Sequence, residues 1–310
     1  MSDDLKIEVK RLKLLASTAS RCYRRVQVGK RTVEVPTVEL KLVQRWIAEL
    51  IVAETPVLPS FVTAYEPGSS IVANARMHTE NRHMIHLDIA DFFHSCDADM
   101  VGDVFRTVRL GGCGETKASG IPLTEDDVSL LVSLSTLKGR LTVGSPSSPF
   151  LANRILIPFD YDVQAALGAS YTYSRYSDDI IISSDDWIDT EVVVPMVLGR
   201  LEVRGFRLNT GKTRCVGPGD KRVVTGVVVT PDGFLSVGRG RKRELEKSLY
   251  QYLMYGEGSA RKILGMLDFC RSVEPSYVTK LLIKYGNYGK AAMTPGGVIA
   301  VLREAQAKQQ

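Results

Sequence analysis

The chain has few cysteines and no long apolar segment, and each absence excludes a class of protein. Five cysteines are spread over 310 residues, and no pair has the spacing of a zinc site or a redox motif, which predicts reduced thiols and a cytoplasmic location. No run approaches the roughly 18 uninterrupted apolar residues of a membrane span, and the N-terminus has no apolar segment behind a basic start. Neither a membrane partner nor secretion is expected. No repeat and no long linker is evident, so any subdomains are expected to pack together.

Charge is small in total but unevenly distributed. With 44% hydrophobic and 24% charged residues, the composition is that of an ordinary globular protein with room for a substantial core. The net charge is +5, yet residues 204–262 carry 13 Lys or Arg against five Asp or Glu, and residues 1–50 carry 11 against six. The rest is therefore net acidic. Basic flanks around an acidic centre suit a protein that holds phosphates and cations, although a charge run alone usually marks only a solvated face.

An adjacent carboxylate pair, Asp178 and Asp179, lies where two β-prone runs of residues 171–184 meet. Two acids between apolar strands repel each other and lose hydration, so a divalent cation is their natural partner. Mg²⁺ prefers oxygen ligands and leaves positions open for substrate phosphates, which favours phosphoryl or nucleotidyl transfer. The alternative is a solvated hairpin tip, where aspartate is a common turn residue.

A second acidic element supports the metal-site interpretation. Residues 84–93 form a short apolar run that ends at Asp88 and continues into Phe92 and Phe93. Two metal ions about 4 Å apart share ligands, so the site needs an acid from a neighbouring strand, and Asp88 is the candidate. Asp91 is interpreted as structural, because an acid at the start of a helix caps it or interacts with its dipole.

Four motifs occur in the order expected of a reverse transcriptase, the family that the chain resembles. They are Leu-Asp-Ile-x-x-Phe-Phe at 87–93, Gly-Ser-Pro-Ser-Ser-Pro-x-Leu-Ala-Asn at 144–153, Tyr-Ser-Asp-Asp at 176–179 and Leu-Asn-Thr-Gly-Lys-Thr at 208–213. Two further elements resemble the retron branch, namely Asn-Ala-x-x-His at 74–78 and Val-Thr-Gly at 224–226. The resemblance covers roughly residues 22–290. Without it, the residues indicate only a metal-dependent nucleotidyl transferase.

Periodicity and turn signals predict an α+β fold. In the middle of the chain the order strand, helix, hairpin, helix, strand is that of a ferredoxin-like palm. The resemblance implies a right-hand polymerase with fingers in residues 1–85, a palm in 86–230 that contains a fingers insertion at about 101–142, and a helical, RNA-binding thumb in 231–310. The predicted helices are 38–53, two around a glycine-rich connection at 111–120, 151–167 with Ser147 or Ser148 as its cap, 190–204 and several in 240–288, and the predicted strands are 31–35, 171–176, 179–183, 222–229 and 234–237.

The resemblance also implies the catalytic residues. Asp88, Asp178 and Asp179 would hold two Mg²⁺ ions, with Mn²⁺ as an alternative ion and the Ile89 carbonyl as an added ligand. Lys212 is similar to the lysine proposed to protonate the departing pyrophosphate, although a lysine near a turn is common.

Three side chains are assigned to the incoming nucleotide and the primer. The ring of Phe93 would clash with a ribose 2′-hydroxyl and so select deoxyribose, unless it is a core aromatic. Tyr176 resembles the tyrosine beside the primer end and is otherwise a strand aromatic. Arg31 lies where the family places a triphosphate-binding arginine, although Lys30 could serve instead.

A glycine and proline segment is expected beside the template. Gly144, Ser145 and Pro146 would let the template strand and the nascent base pair approach the backbone closely. Many relatives have glutamine before this glycine, and this chain has Val143. The contacts of that glutamine are therefore absent, which leaves processivity and fidelity open.

In the retron branch the thumb reads an RNA stem-loop, and this implies two kinds of RNA contact. Basic side chains would supply affinity through phosphates, and small residues would admit the RNA close to the backbone. The predicted RNA-binding residues are Asn74, His78, Val224, Thr225, Gly226, Arg239, Arg241, Lys242 and Arg243.

Together these features predict a retron-type RNA-directed DNA polymerase. It would bind its cognate structured noncoding RNA as template and primer, start from a 2′-hydroxyl in that RNA, and use dNTPs to make a short RNA-linked DNA (msDNA). An effector protein of the same system and a role in anti-phage defence are implied. The alternatives are a group II intron-like enzyme, disfavoured because no maturase or endonuclease extension is seen, and an RNA-binding scaffold, disfavoured because no catalytic acid is lost.

Overall fold

A computed structural model describes residues 2–29, 31–114 and 117–308. They fall into two compact units. The first comprises Met1–Ser70 and His83–Cys215, and the second comprises Ile71–Arg82 and Val216–Gln310. All five cysteines are free thiols, as predicted. Within the described ranges, no helix combines the length and the apolar character needed to cross a membrane.

Helices and strands are interspersed as far as Ser236, and the described chain is helical from Arg239 onward. Within the described ranges the helices are α1 (Ser2–Leu5), α2 (Val9–Ser17), α3 (Val38–Glu54), α4 (Ile71–Met77), α5 (Phe92–Ser95), α6 (Ala98–Arg106), α7 (Glu125–Ser135), α8 (Ser148–Ile155), α9 (Ile157–Leu167), α10 (Thr190–Glu202), α11 (Arg239–Tyr255), α12 (Ala260–Val273), α13 (Pro275–Tyr285), α14 (Gly289–Ala292) and α15 (Gly297–Ala307). The strands are β1 (Tyr23–Val28), β2 (Arg31–Pro36), β3 (His83–Asp88), β4 (Arg109–Leu110), β5 (Ile121–Pro122), β6 (Thr172–Tyr176), β7 (Asp179–Ser184), β8 (Arg214–Val216), β9 (Arg222–Val224), β10 (Val227–Val229) and β11 (Leu235–Ser236).

A four-stranded sheet with the order β6-β7-β3-β8 organises the first unit. Strands β6 and β7 form the predicted hairpin, and β7 also pairs antiparallel with β3. Apolar residues of β3 and β7, among them Leu87 and Ile182, join a core that also contains Phe159 of α9 and Val197 of α10. The predicted order of strand, helix, hairpin, helix and strand is observed, but the last strand of this sheet is β8 and not the predicted 222–229, which lies in another sheet.

The prediction of one long helix over 151–167 is wrong, because the helix is interrupted at Leu156. Pro158 lies in the first turn of α9 and has no N–H to donate to the carbonyl of the preceding turn, so α8 ends at Ile155. Ser147 occupies the N-cap position of α8, but its side chain makes no capping hydrogen bond. Ser148 is the first helical residue.

Other helices agree with the sequence pattern. Helix α3 covers the predicted 38–53, and α6 and α7 are the two helices expected around the glycine-rich connection. The short paired strands β4 and β5 between them were not predicted, because two-residue strands are too short to show an alternating pattern.

The second unit combines α4, the three-stranded sheet β9-β10-β11 and helices α11–α15. The prediction of one strand over 222–229 is wrong. Thr225 and Gly226 have φ angles of 44° and 83°, and together they form a two-residue turn between β9 and β10. Positive φ at both central residues matches the right-handed twist of a hairpin, and glycine adopts it without strain.

Candidate active site

Three carboxylates meet at one end of the β3–β7 pair. Asp88 is the last residue of β3 and lies directly opposite Asp179, the first residue of β7. Asp178 belongs to the two-residue turn between β6 and β7, in which Ser177 has a φ of 61°. The Ile89 N–H donates to the Asp178 carbonyl at 2.9 Å, which ties the turn to the end of β3. The strand register thus brings Asp88 next to two acids that follow it by 90 and 91 positions in the chain.

The acids disfavour one another's charge. Burial, followed by the nearby charges of Asp178 and Asp88, raises the pKa of Asp179 to about 6. Lys212 partly offsets this charge, since its Nζ donates to Asp88 Oδ2 at 2.7 Å. That hydrogen bond raises the pKa of Lys212, so its ammonium remains protonated beside the acids.

The donor set suits a hard divalent cation. In the part of the chain that the structure describes, no three His, Cys, Asp or Glu side chains form a ready-made metal group, and Asp88 is paired with Lys212 instead. The side chains at this end of the sheet are nevertheless oxygen donors whose mutual repulsion a bound cation would relieve. Binding therefore requires the ammonium of Lys212 to give way at Asp88.

A cleft of about 870 Å³ opens beside the acids. Asp88, Asp178 and Lys212 line it together with Arg31 and Phe93. It is therefore large enough for a small substrate, and it joins residues that the sequence assigned to metal and to nucleotide. Lys30, the alternative to Arg31, is outside the described residues.

The two neighbouring phenylalanines have different environments. Phe92 is buried and Phe93 is half-buried, although both border the cleft. Asp91, interpreted as structural, does occupy the N-cap position of α5, but its carboxylate makes no capping hydrogen bond and it also lines the cleft. Asp91 is thus an exposed acid near the site, although the sequence did not indicate it as a metal ligand.

The segment around Gly144 is held against strand β2. Gly144 has a φ of 112°, and a Cβ there would lie 2.7 Å from the carbonyl oxygen of Glu34. The Glu34 N–H also donates to the Val143 carbonyl at 2.9 Å. The close approach that glycine permits here is made by β2, while Ser145 is buried with its hydroxyl 3.2 Å from that of Ser147. Template contact by Gly144, Ser145 and Pro146 stays a prediction.

Tyr176 ends β6 and faces Asp179 across the hairpin. Its ring is half-buried, with the centroid 6.4 Å from that of Tyr65, which lines the cleft. Burial raises the pKa of Tyr176. The tyrosine is thus next to the acids, and contact with a primer stays a prediction.

A buried polar network lies behind the turn that carries Asp178, and the sequence did not predict it. Arg175 is fully buried, and its guanidinium makes two hydrogen bonds to Asp160, at 2.6 and 2.8 Å. Nη1 also donates to the Asn153 side chain at 3.0 Å and to the Ser177 carbonyl at 3.1 Å. The turn that carries Asp178 is therefore fixed from inside the protein. An arginine within the β-prone run Thr172–Tyr176, just before the acidic turn, is the sequence signal that could have revealed it.

In the second unit, the two retron-like elements contact each other. Asn74 and His78 are fully buried, and Asn74 Nδ2 lies 3.5 Å from the hydroxyl of Thr225. That hydroxyl also donates to the Ile71 carbonyl at 3.3 Å. Helix α4 thus holds the β9–β10 turn, in which Val224 is buried as well. Direct RNA contact by these residues stays a prediction.

The four basic residues of α11 that were predicted to bind RNA divide into two pairs. Arg241 donates to the Gly226 carbonyl at 2.5 Å, with its guanidinium 4.5 Å from the Phe269 ring. Lys242 forms an ion pair with Glu274 at 2.5 Å. Arg239 and Arg243 are exposed, and within the described residues their side chains make no hydrogen bond or ion pair. Only the second pair is free to bind phosphate without breaking an internal contact.

Comparison with known proteins identifies the class to which this fold and site belong. Residues 26–253 match the family described as reverse transcriptase (RNA-dependent DNA polymerase), and the chain belongs to that family. It is therefore an RNA-directed DNA polymerase with the right-hand α+β fold that the sequence predicted. Enzymes of this family use divalent metal ions.

Relatives specify the branch. The retron Ec86 reverse transcriptase of Escherichia coli is 29% identical over 301 residues, which cover 92% of this chain and 89% of that protein. The retron Ec83 reverse transcriptase of Escherichia coli is 26% identical over 277 residues, or 84% of each chain. Among solved structures, apo telomerase from Candida tropicalis aligns with a TM-score of 0.49 at 10% identity, over 89% of this chain and 63% of that one. These relatives support a retron-type reverse transcriptase, which the chain resembles over most of its length.

Proposed function

We propose that the protein copies part of a cognate structured noncoding RNA into a short DNA that stays linked to the RNA, starting from a 2′-hydroxyl within it. The observation that carries this proposal is the register that sets Asp88 opposite Asp179, with Asp178 in the adjoining turn. The contact between Asn74 and Thr225, which joins the two retron-like elements, supports the retron-specific part.

At the acidic end of the sheet, Asp88, Asp178 and Asp179 would hold two Mg²⁺ ions, and the Ile89 carbonyl would be an added ligand. When bound, such ions supply Lewis acidity to an in-line displacement at phosphorus. The protein aligns the attacking hydroxyl with the phosphate of the dNTP, because the carboxylates are fixed by strand register and by the buried Arg175 network.

Other residues of the cleft act on the nucleotide. The exposed guanidinium of Arg31 binds the triphosphate, and the ring of Phe93 excludes a 2′-hydroxyl from the sugar site. Once a metal ion replaces it at Asp88, Lys212 would still carry its proton and would deliver that proton to the departing pyrophosphate. Tyr176 contacts the primer end. Gly144, Ser145 and Pro146 contact the template.

The retron-like elements act as one RNA-recognition framework. Asn74 and Arg241 bond to the two residues of the β9–β10 turn, and so they fix its shape. RNA contacts the turn at Thr225 and Gly226, while Arg239 and Arg243 bind phosphates. His78 and Lys242 serve through packing and an ion pair within the same unit.

Three wider aspects belong to the same proposal. The division into fingers (1–85), palm (86–230) and thumb (231–310) follows from the family resemblance. The retron system to which the enzyme belongs includes an effector protein. The system as a whole acts in anti-phage defence. The association of residues 71–82 with 216–310 in one unit supports assigning the first retron-like element to RNA recognition together with the thumb.

The nucleic acid that copurifies with the protein tests this function. Expression with its neighbouring noncoding RNA is expected to yield an RNA–DNA species that is converted to linear DNA only by an enzyme that cleaves 2′–5′ links. DNA that carries only ordinary 3′–5′ links would contradict the proposed priming and favour the group II intron-like alternative. RNA alone, with no DNA from added dNTPs, would favour the scaffold.

A further inference from the structure

One face of helix α11 is exposed along its whole length. Its residues recur every three or four positions, which places them on one side of the helix, while Leu245, Leu249 and Leu253 are buried on the other side. The exposed face reads Arg239, Arg243, Lys247, Tyr250 and Met254.

The first three residues of this face are cations. Within the described residues, the side chains of Arg239, Arg243 and Lys247 make no hydrogen bond or ion pair. The acids of the same helix are occupied elsewhere, since Glu244 pairs with Lys262 and Glu246 pairs with Lys284. The positive charge of the face is therefore not neutralised within the unit.

The C-terminal end of the face leads into a cluster of tyrosines. The Tyr250 ring centroid lies 6.1 Å from that of Tyr255 and 6.3 Å from that of Tyr288. Tyr250, Tyr255 and Tyr288 are 37%, 66% and 37% exposed as whole residues, respectively. Tyr285 is buried beneath them, 5.0 Å from Tyr288, and so supports the cluster from below.

The backbone fixes this cluster in place. Gly289 begins α14 with a φ of 45°, and a Cβ there would lie 2.3 Å from the Leu253 carbonyl oxygen. Only glycine allows the start of α14 to approach the end of α11 so closely, and this approach sets Tyr288 beside Tyr250. The exposed rings are thus preorganised, which lowers the entropic cost of stacking a ligand on them.

We infer that this face binds an unpaired RNA segment, with phosphates on Arg239, Arg243 and Lys247 and bases stacked on Tyr250, Tyr255 and Tyr288. The inference rests on the proposed function, because it assumes a structured RNA as the partner. From Arg239 to Tyr250 the helix rises about 17 Å, so the cations lead a short strand toward the rings. Single-strand sites combine this kind of basic track with aromatic platforms.

The charge of the face favours this occupant over the other candidates. A duplex offers phosphates but keeps its bases stacked on each other, so the tyrosines would gain nothing from it. A protein partner would have to supply acids for three cations together with an apolar surface for the rings. An unpaired RNA strand carries both phosphate charge and free base faces.

The test uses the full chain and two RNA probes. One is an oligouridylate with a single 2-aminopurine, whose fluorescence falls when its base stacks on an aromatic ring, and the other is a blunt hairpin without unpaired ends. The double variant Tyr250→Leu/Tyr288→Leu removes ring faces and keeps apolar bulk, and Tyr250→Phe/Tyr288→Phe keeps the faces. Tyr161→Leu, at an exposed tyrosine of α9 in the other unit, is the matched control.

The leucine pair is expected to weaken oligouridylate binding roughly 10-fold or more and to abolish the fluorescence decrease, because each lost base contact has this order of effect. The phenylalanine pair and Tyr161→Leu should behave as the parent, and hairpin affinity should change less. If the leucine pair unfolds, Tyr255→Leu carries the test at the most exposed ring.

Unchanged affinity and fluorescence in the leucine pair, or in Tyr255→Leu where that replaces it, would overturn the inference. Loss of binding to an effector protein with no change in RNA binding would overturn it too, and would assign the face to protein docking. A second measurement distinguishes failure of this inference from failure of the proposed function. It is DNA synthesis by the parent on oligoriboadenylate primed with oligodeoxythymidylate. A parent that extends this primer while its tyrosine variants bind RNA normally would leave the polymerase assignment intact.

Discussion

Arg175 and Asp160 form a fully buried ion pair with a 2.6 Å contact, and the same guanidinium donates to the Ser177 carbonyl next to Asp178. Neither partner has solvent access, so each charge depends on the other and on the hydrogen bonds around it. The position of the acidic turn is thereby linked to helix α9, on the inner side of the sheet.

Arg175→Met is expected to destabilise the protein by about 3–5 kcal/mol, because it leaves Asp160 buried without a counter-charge. Urea unfolding measures the change. Arg204→Met is the matched control, since its ion pair with Asp162 lies at the surface and its loss should cost about 1 kcal/mol or less. Equal losses in the two variants would mean that the buried pair has no special role.

Because of the largely buried His86 of β3, the stability of the protein is expected to depend on pH. Burial, with the charge of Arg214, lowers the pKa of His86 from 6.5 to about 4. Between these values the unfolded chain binds a proton that the folded chain does not, so stability is fully present above pH 6.5 and falls as the pH drops to about 4. The loss is on the order of 3 kcal/mol at about 1.4 kcal/mol per pKa unit.

Thermal unfolding from pH 7.5 to pH 4, about the range of this titration, checks the prediction when a chelator removes divalent ions. His86→Gln cannot gain a proton, so its stability should fall less over this range than that of the parent. Parallel curves would show that other groups account for the acid sensitivity.

The sugar site provides a third prediction. Phe93→Val should admit ribonucleotides better than the parent, on the order of 10- to 100-fold in the ratio of kcat/KM for rNTP and dNTP, because the barrier is steric. Phe105→Val is the control, since Phe105 is fully buried in the core and does not line the cleft, so its truncation should lower stability without changing that ratio. An unchanged ratio in Phe93→Val would place the gate elsewhere.

The basic residues of α11 provide a fourth prediction. Arg239→Gln/Arg243→Gln should reduce the slope of log affinity against log salt by about 0.7–0.9 per lost phosphate contact. Arg241→Gln/Lys242→Gln should mainly lower the melting temperature, because these side chains hold Gly226 and Glu274. Binding of a hairpin at several salt concentrations, with thermal unfolding of each variant, separates the two pairs. The reverse pattern would contradict the division.

The sequence predicted those features whose signal is local. The acids of the site are adjacent to each other or end an apolar run, and the helices α3, α6 and α7 have clear periodicity. It failed where a single residue interrupts a uniform pattern. Pro158 divides an otherwise helical segment, and Thr225 with Gly226 folds a β-prone run into a hairpin.

Other features depend on tertiary contacts that no local pattern reveals. Asn74 and Thr225 are 151 positions apart, and only the folded second unit shows that they meet. The pairing of Arg175 with Asp160 likewise joins a strand to a helix. Composition indicated that residues 204–262 are rich in Lys and Arg. It could not show that Arg241 bonds to Gly226 and that Lys242 pairs with Glu274.

DNA synthesis by Asp178→Asn tests the central claim most directly. A neutral amide lacks the negative charge with which the carboxylate binds two divalent cations, so the variant is expected to incorporate no dNTP while it still binds RNA. Asp186→Asn, an exposed acid just beyond β7, should retain the parent rate. Near-normal incorporation by Asp178→Asn would contradict the assignment of the acidic turn as the metal site.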